Sequence, residues 1–437
     1  MSERWSRDQV LGLAPDAAAV KAAGGVAKPA KWDGTGCDGE AVWGECQGSG
    51  KSVYRAAVDL TEPAFRCSCP SRKIPCKHVL GLLLLWSEGS VADGARAGWA
   101  AEWLAGRRER AGRAAQRRAA AGKGGDEGRG KDPKTAERRE RRVEEGLAEL
   151  DRWLRDQVAH GLAQAAKARY QMWDDVARRL VDAQAGALAG QVRGLAAIPG
   201  TPGWPDRLLA EYALLRLLVR AHRRRDELPE GLRETVRSRV GFTVPQEEVT
   251  TAGERVRDRW CVTGSRDTAQ DVLTTRRVWL RGRRTGRPAL VLSFSAPGTS
   301  LDASLPVGTE VDAELAFYPG SQPLRALVAE RFGTAVPGTP GGTSVAGFLD
   351  EHAAALARDP WLDRWPATLA DVRLARAGDG GLYAADAAGD ALPLRMADPW
   401  RLLALSGGGP VTLAGEWSPR GLRPLAAWHE TEGAVVL

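Results

Sequence analysis

The chain has 437 residues, enough for two or three domains with sizeable cores. Its apolar fraction of 43% and charged fraction of 27% are close to those of an ordinary soluble globular protein. The net charge of +7 does not identify an anionic partner, because most of the 62 basic residues are arginines, as GC-rich coding sequence produces without any nucleic-acid function.

The N-terminal residues contain no apolar core of signal-peptide length. The longest apolar run, Val79–Trp86, is too short to span a bilayer. We therefore expect a soluble cytoplasmic protein. In that compartment cysteines are more often metal ligands or free thiols than disulfides.

Residues 1–90 are expected to form one module. Residues 1–36 are rich in small residues and predict a short helix and a loop. The runs AVWGECQ and SVYRAAVDL have strand character and flank GSGK, which predicts a β-hairpin. AFRCSCPS is a third extended segment, and CKHVLGLLLLWSEG has helical periodicity.

Two glycine-rich strings resemble nucleotide-binding motifs. In GECQGSGKS, Glu45 stands where a P-loop requires its first glycine, and a strand pattern rather than a helix follows. GTGCDG, residues 34–39, matches G-x-G-x-x-G without a strand and helix around it, and we expect a loop there. The sequence therefore predicts no cofactor-binding residues in either string.

The rest of the chain changes character twice. Residues 105–134 are basic and poor in apolar residues, which predicts a disordered basic linker; a solvated tether is favoured over a nucleic-acid-binding arm. Residues 135–228 form a helical segment, coiled-coil-like in part, with apolar residues three and four apart at Val143, Leu147, Leu150, Leu154, Val158 and Leu162. Residues 229–437 alternate apolar and polar residues and predict a β-rich α+β domain of unknown function, of one or two units.

Three of the six cysteines fall within ten residues, in FRCSCPSRKIPCKH. Cys67 and Cys69 are two apart on an extended segment, so their sulfurs point to the same side. Cys76 and His78 follow where a helix begins, and a helix N-terminus favours thiolate. Three thiolates and one imidazole complete the tetrahedral shell of a structural Zn²⁺ site, which we favour over buried free thiols or a disulfide.

The remaining cysteines give weaker signals. Cys37 and Cys46 are nine positions apart with no histidine nearby, and we expect Cys46 to pack in the hairpin close to the cluster. Cys261 lies in a strand-like run and is expected in the core. No nucleophile motif is evident and no catalytic residue is predicted, although an enzyme in the C-terminal half stays open.

Cys-x-Cys followed by Cys-x-His at the start of an apolar helix resembles the SWIM-type zinc finger, and Val42–Trp86 is similar to the N-terminal module of bacterial SWIM-type zinc finger proteins. The resemblance implies that Cys67, Cys69, Cys76 and His78 bind zinc in a ββα fold, with a finger core over residues 53–87. It also implies contacts with proteins or nucleic acids, and a link to systems with an AAA-type ATPase and a von Willebrand A-type protein.

The sequence thus predicts an α+β chain: an N-terminal ββα zinc finger module, a disordered basic linker, a helical segment and a β-rich C-terminal domain. Zinc is expected to fold the module, with Leu82–Trp86 docked on the hairpin or on a neighbouring domain. A zinc-binding protein that contacts other proteins is the first hypothesis, and nucleic-acid binding through the finger and linker is the alternative.

Overall fold

The computed structural model describes residues 4–48, 52–61, 63–71, 73–109, 133–166, 170–270, 273–295, 301–378, 380–430 and 433–437. Over these ranges the chain has an N-terminal sheet, a helical segment and two further sheets, which confirms the α+β class. Among the described residues, no helix combines the length and apolarity needed to cross a bilayer.

The N-terminal module is larger than the predicted hairpin and helix. It contains a four-stranded antiparallel sheet in the order β1-β2-β3-β4, with the predicted hairpin at its centre. Residues 32–37, expected to be helix or loop, instead form the edge strand β1. The elements are α1 (Arg7–Gly12), α2 (Ala17–Val26), β1 (Trp32–Cys37), β2 (Ala41–Gln47), β3 (Val53–Asp59), β4 (Ala64–Cys67), α3 (Lys77–Ser87) and α4 (98–109).

Helix α3 is covered by other elements on all sides, which agrees with its having apolar residues on every face. Every residue from His78 to Trp86 is buried. A Cβ on Gly44 would lie 3.2 Å from Leu82 of α3, and a Cβ on Gly81 would lie 2.7 Å from Val26 of α2, so small residues let the sheet and α2 approach the helix closely. The expected docking of Leu82–Trp86 therefore takes place inside the module.

Helix α4 covers the opposite face of the sheet. Its Trp103 and Leu104 pack against Trp43 in a separate apolar cluster. Arg107 pairs with the buried Asp59 at 3.2 Å, so the helix continues past residue 105, where the disordered linker was predicted to begin. The packing of Trp103 and Leu104 one turn earlier and this ion pair hold residues 105–109 in the helix. The rest of the predicted linker, up to residue 132, lies outside the described residues.

The helical segment forms a bundle of α5 (Pro133–Ala159), α6 (Tyr170–Asp182), α7 (Gly186–Leu195), α8 (Trp204–Arg223) and α9 (Glu230–Val240). The first four apolar positions predicted on α5 are buried in its core, whereas Val158 is 51% exposed. Buried Asp151 lies 3.4 Å from both Arg216 and Arg223 of α8. Because α5 packs in a multi-helix core, the predicted coiled coil is not confirmed.

After α10 (Gln246–Ala252), five strands close into a barrel: β5 (Glu254–Gln270), β6 (Leu273–Gly282), β7 (Pro288–Ser295), β8 (Thr309–Phe317) and β9 (Arg325–Arg331). Neighbouring strands are antiparallel except β7 and β9, and the β8–β9 pairing closes the ring. The short β10 (Val336–Pro337) adds to β8. This five-stranded arrangement is that of an OB-type barrel.

The last sheet has the order β13-β12-β11-β14-β15-β16. Its Ala426 and Trp428 belong to the same buried cluster as Trp260 and Val262 of the barrel, so the two sheets share a core. The elements are α11 (Val345–Arg358), β11 (Trp365–Arg376), β12 (Leu382–Ala385), β13 (Ala391–Pro393), α12 (Trp400–Ser406), β14 (Val411–Ser418), β15 (Gly421–His429) and β16 (Gly433–Val436).

Helix α1 connects the N-terminal module to the barrel. Gln9 donates a hydrogen bond from Nε2 to the Gly308 carbonyl at 2.7 Å, and both are buried in the contact. Trp5 is 1% exposed and meets Trp86 of α3 edge to face, with ring centroids 5.8 Å apart. The N-terminal module is therefore joined to the C-terminal half by a packed contact as well as by the chain.

Candidate metal centre

The first two thiols of the predicted site lie at the end of β4. Cys67 is opposite Ala56 in the β3–β4 pairing. Beyond it, Ser68 continues the edge, since its N–H donates to the Arg55 carbonyl at 3.0 Å and its Oγ accepts from the Arg55 N–H at 2.9 Å. This extended backbone brings Cys69 to the same side as Cys67.

The other two ligand candidates lie at the start of α3. Cys76 is the N-cap residue, with extended φ and ψ of −81° and 170°, and α3 begins at Lys77. His78, in the first turn, is 3% exposed, and the Tyr54 ring lies over it with centroids 4.9 Å apart. Packing against the hairpin thus fixes the orientation of the imidazole.

The structure brings all four side chains together. One donor atom from each of Cys67, Cys69, Cys76 and His78 lies within 4.8 Å of the others, and Cys67 Sγ is 3.8 Å from His78 Nδ1. Donor atoms of a tetrahedral zinc site are separated by roughly 3.5–4 Å, given bonds of about 2.0–2.3 Å. Within the described residues, this is the one group of potential ligands at such separations.

The three thiols shift one another's pKa values. A hydrogen bond from the Cys67 thiol lowers the pKa of Cys76 to about 4, with contributions from His78 and from the Val79 N–H at the start of α3. The same contact with Cys76 raises the pKa of Cys67, and burial raises that of Cys69. Zinc binds thiolates, so its binding releases the protons that these thiols carry.

The segment between the thiols is anchored to α2. Lys73 Nζ lies 2.6 Å from Asp16 Oδ2, and Asp16 also caps α2 by accepting the Ala19 N–H at 2.7 Å. Four basic residues stand close to the thiols in the sequence and are candidates to offset the negative charge of a three-thiolate site: Arg66, Arg72, Lys73 and Lys77. Lys73 is instead paired with Asp16, Arg66 is exposed on the alternate face of β4, and Arg72 lies outside the described residues.

A groove of about 800 Å³ runs beside the candidate ligands, between α2, the β2–β3 turn and the segment from Cys69 to His78. The α2 side of the groove is apolar, and three lysines line the rest of the groove. Its lining includes Ala18, Ala19, Ala22, Val26, Lys31, Lys73 and Lys77. We call this the finger groove.

The other cysteines do not join the cluster. Cys46 is buried in β2, as expected, and burial raises its pKa. Cys37 contacts Asp93 at 3.3 Å, and burial raises its pKa to about 11. Cys261 is buried in β5, as predicted for a core residue, and burial raises its pKa to about 12.

The P-loop-like string lies in the hairpin. The Gly48 N–H donates to the Ser52 carbonyl at 2.8 Å across the turn, and β3 follows directly. GTGCDG was expected to be a loop, but most of it lies in β1, because its backbone pairs with β2 and Trp43 packs over Gly36. Neither string opens into a helix N-terminus that could hold phosphate.

Comparison with protein families agrees with this geometry. The SWIM zinc finger model matches residues 64–86, which contain all four candidate ligands. The chain carries a SWIM zinc finger. The finger and the Cys3His cluster together indicate zinc binding, and the resemblance to SWIM-type zinc finger proteins is confirmed.

A second family model, the SWIM-associated four-helix bundle domain, matches residues 138–240. The described helices α5 to α9 fall in or overlap this range. Sequence reasoning found the helical periodicity here but attached no family to it. Searches of curated proteins and of solved structures returned no match.

Proposed function

We propose that the chain is a zinc-binding interaction protein in which Zn²⁺, held by Cys67, Cys69, Cys76 and His78, has a structural role. The convergence of these four donor atoms within 4.8 Å carries the proposal. Four protein ligands complete a tetrahedral shell and leave no position for a substrate or water, which is typical of structural rather than catalytic zinc.

The role of the metal follows from where its ligands lie. Two ligands are at the end of β4 and two are at the start of α3, so the ion would join the sheet to the helix across the connecting segment. That same segment forms one wall of the finger groove. Zinc would therefore set the shape of the groove, and metal binding would be coupled to partner binding.

The finger groove favours a protein partner over nucleic acid. Its α2 wall is lined by small apolar side chains, which suit packing against another chain. Two of its three lysines already have partners: Lys73 pairs with Asp16, and Lys31 Nζ donates to the Gly25 carbonyl at 2.9 Å. Lys77 alone would give little of the charge that binding to a phosphate backbone needs.

Metal analysis of the purified full chain tests the zinc site. We expect about one zinc per chain in wild type and loss of stoichiometric zinc in Cys69→Ser. Cys46→Ala is the matched control, because Cys46 is a buried cysteine of the same module outside the cluster. Absence of stoichiometric zinc from wild type would refute the proposal.

The groove is tested by substitution on α2. Ala22→Arg would fill it, whereas Ala17→Arg places the same side chain on the same helix away from the lining. We expect partners recovered with wild type and Ala17→Arg to be lost with Ala22→Arg. Equal recovery with both variants would place the contact elsewhere.

Nucleic-acid binding is the second candidate, favoured by the basic composition of residues 105–134. Two of the described arginines there are already paired, Arg107 with Asp59 and Arg108 with Glu40. A salt titration with mixed-sequence DNA separates the two: a steep loss of affinity with salt supports phosphate contacts, and no binding at low salt excludes them.

Partners of the AAA-type ATPase and von Willebrand A-type classes, and a cytoplasmic location, are further proposals. The first is supported by the family resemblance alone. The second is supported by the free cysteines, which suit a reducing compartment. Co-purification from native cells with wild type and with Cys69→Ser tests both the partner class and its dependence on the metal.

A further inference from the structure

A second cleft lies far along the chain from the finger, between the OB-type barrel and helix α9. Its volume is about 220 Å³. Barrel strands β6, β7 and β9, the β8–β9 loop, helix α9 and the segment before β11 all contribute side chains. Four arginines and two carboxylates line it: Arg239, Arg277, Arg325, Arg364, Asp359 and Asp363. We call it the arginine cleft.

Strand register places two arginines beside each other: Arg277, which lines the cleft, and Arg266, which lies behind it. Arg266 of β5 lies directly opposite Arg277 of β6 in an antiparallel pair. Like charges in that position repel each other and destabilise the pairing. The neighbouring pair on the alternate face, Asp267 and Arg276, is complementary and bidentate, with both contacts at 2.8 Å.

One buried carboxylate, Glu416 of β14, is shared among these arginines. It is 3% exposed, and its oxygens lie 3.0 Å from Arg266 and 2.6 Å from Arg364, but 3.9 Å from Arg277. Its Oε2 also accepts the Trp279 N–H at 3.3 Å. Glu416 therefore neutralises Arg364 and Arg266 well and Arg277 poorly.

The remaining charges leave an excess of positive charge. Arg239 pairs with Asp359 at 3.1 Å, and Arg364 also pairs with Asp363 at 3.2 Å. Arg325 stacks on the Tyr318 ring, 4.2 Å from its centroid, and we find no carboxylate paired with it among the described residues. Counting Arg266 and Glu416, five guanidinium groups meet three carboxylates.

Arg277 shows the effect of this shortage of carboxylates most clearly. Its Nε is buried and has no hydrogen-bond partner among the described residues. Burial, followed by the nearby Arg364 charge, lowers its pKa. A buried donor without an acceptor is destabilising, and an anion bound beside Arg277 would offset its uncompensated charge.

The position of the cleft fits ligand binding. OB-type barrels bind ligands on the face of their second and third strands and with the loop between the fourth and fifth. Here those parts are β6, β7 and residues 318–324, all of which contribute to the cleft. The loop is fixed to α9, because the Ser321 N–H donates to Thr235 Oγ1 at 2.9 Å.

The surroundings leave little open surface for an extended oligonucleotide on this face. The last sheet covers the β5 side, where a Cβ on Gly264 would lie 2.7 Å from Leu425. Helix α9 lines another side of the cleft, where Arg239 pairs with Asp359 of the segment before β11. The volume that is left is below the roughly 300–1,000 Å³ of pockets for drug-sized ligands.

We propose that the arginine cleft binds a phosphate dianion, either inorganic phosphate or the phosphate group of a small ester, with Arg277 and Arg325 as its main ligands. Two excess positive charges match the charge of the dianion. Planar guanidinium groups give charge-assisted hydrogen bonds to phosphate oxygens. The proposal does not depend on the zinc finger.

The test uses the zinc-loaded full chain in chloride buffer at constant ionic strength. Inorganic phosphate, methyl phosphate and a single-stranded oligonucleotide are titrated by calorimetry, and melting temperature is measured with and without phosphate. The variants are Arg277→Gln and Arg325→Gln. Arg376→Gln is the control, since Arg376 is exposed at the far end of β11.

We expect one phosphate per chain, with affinity reduced about tenfold or more by each cleft variant and unchanged by Arg376→Gln. Preference for methyl phosphate over inorganic phosphate would identify the ligand as an ester, and the reverse would identify the free ion. Without phosphate, Arg277→Gln should not lower the melting temperature, because it removes repulsion from Arg266.

Three results would overturn the proposal. One is the absence of saturable phosphate binding. Another is equal stabilisation of wild type and both cleft variants by phosphate, which would be a general salt effect. The third is tighter binding of the oligonucleotide than of phosphate at this site. Arg325→Gln keeps the test valid if Arg277→Gln fails to fold, since Arg325 has no carboxylate partner to lose within the part of the chain that the structure describes.

Discussion

Removal of zinc should loosen one segment and leave the rest of the N-terminal module folded. The core of the module is large: α3 alone buries five leucines, each at most 2% exposed, between the sheet, α1 and α2. At roughly 1.5–3 kcal/mol per side chain, these leucines contribute on the order of 10 kcal/mol without the metal. This differs from the expectation that zinc folds the whole module, which assumed a hairpin and one helix alone.

We expect zinc to order only the segment that connects β4 to α3. Between Cys67 and His78 about ten residues connect β4 to α3, and ordering each of them costs roughly 1–2 kcal/mol. Structural zinc sites contribute roughly 10–16 kcal/mol, which is close to that cost. Chelation should therefore release this segment and open the finger groove, while β2, β3 and α3 keep their hydrogen bonds.

Hydrogen exchange measured with and without a chelator distinguishes local from global opening. We expect amides of residues 68–76 to lose protection and amides of residues 53–59 and 79–87 to keep most of theirs. Zinc-loaded Cys46→Ala should match wild type before chelation. If chelation deprotects β3 and α3 together with the connecting segment, zinc folds the module and this reasoning is wrong.

Three further outcomes follow from packing and burial. His222 is fully buried with no partner for either ring nitrogen among the described residues, and burial lowers its pKa. The unfolded state therefore binds more protons, so the free energy of unfolding should fall as pH drops below about 6.5, and His222→Leu should reduce that fall in urea titrations at pH 7.5 and 5.5. Gly24→Ala should raise the melting temperature, because alanine has a higher helix propensity than glycine by about 0.5–1 kcal/mol. Gly81→Ala should lower the melting temperature, because its Cβ would lie 2.7 Å from Val26. Adding Val26→Ala to Gly81→Ala should remove this clash and restore the melting temperature in part. Trp5→Ala should cost about 3–5 kcal/mol in urea unfolding without changing zinc content, and zinc loss would show that α1 supports the finger.

The sequence by itself determined the features that depend on neighbouring residues. Cys67, Cys69, Cys76 and His78 could be identified because strand and helix periodicity fix which side chains share a side within a short segment. The hairpin on both sides of Gly48 followed from alternation and turn chemistry in the same way. These patterns operate over a few residues, so no tertiary information was needed.

Tertiary structure decided what depends on distant partners. The β1 residues WDGTGC have no strand pattern, and pairing with β2 makes them a strand. Helix α4 continues past residue 105 because it packs on the sheet. The arginine cleft unites Arg239, Arg277 and Arg364, more than a hundred residues apart at the extremes, through barrel closure and the docking of α9. The sequence gives the number of these arginines. Only long-range strand pairing and domain packing place them next to one another, in a cleft that contains fewer carboxylates than arginines.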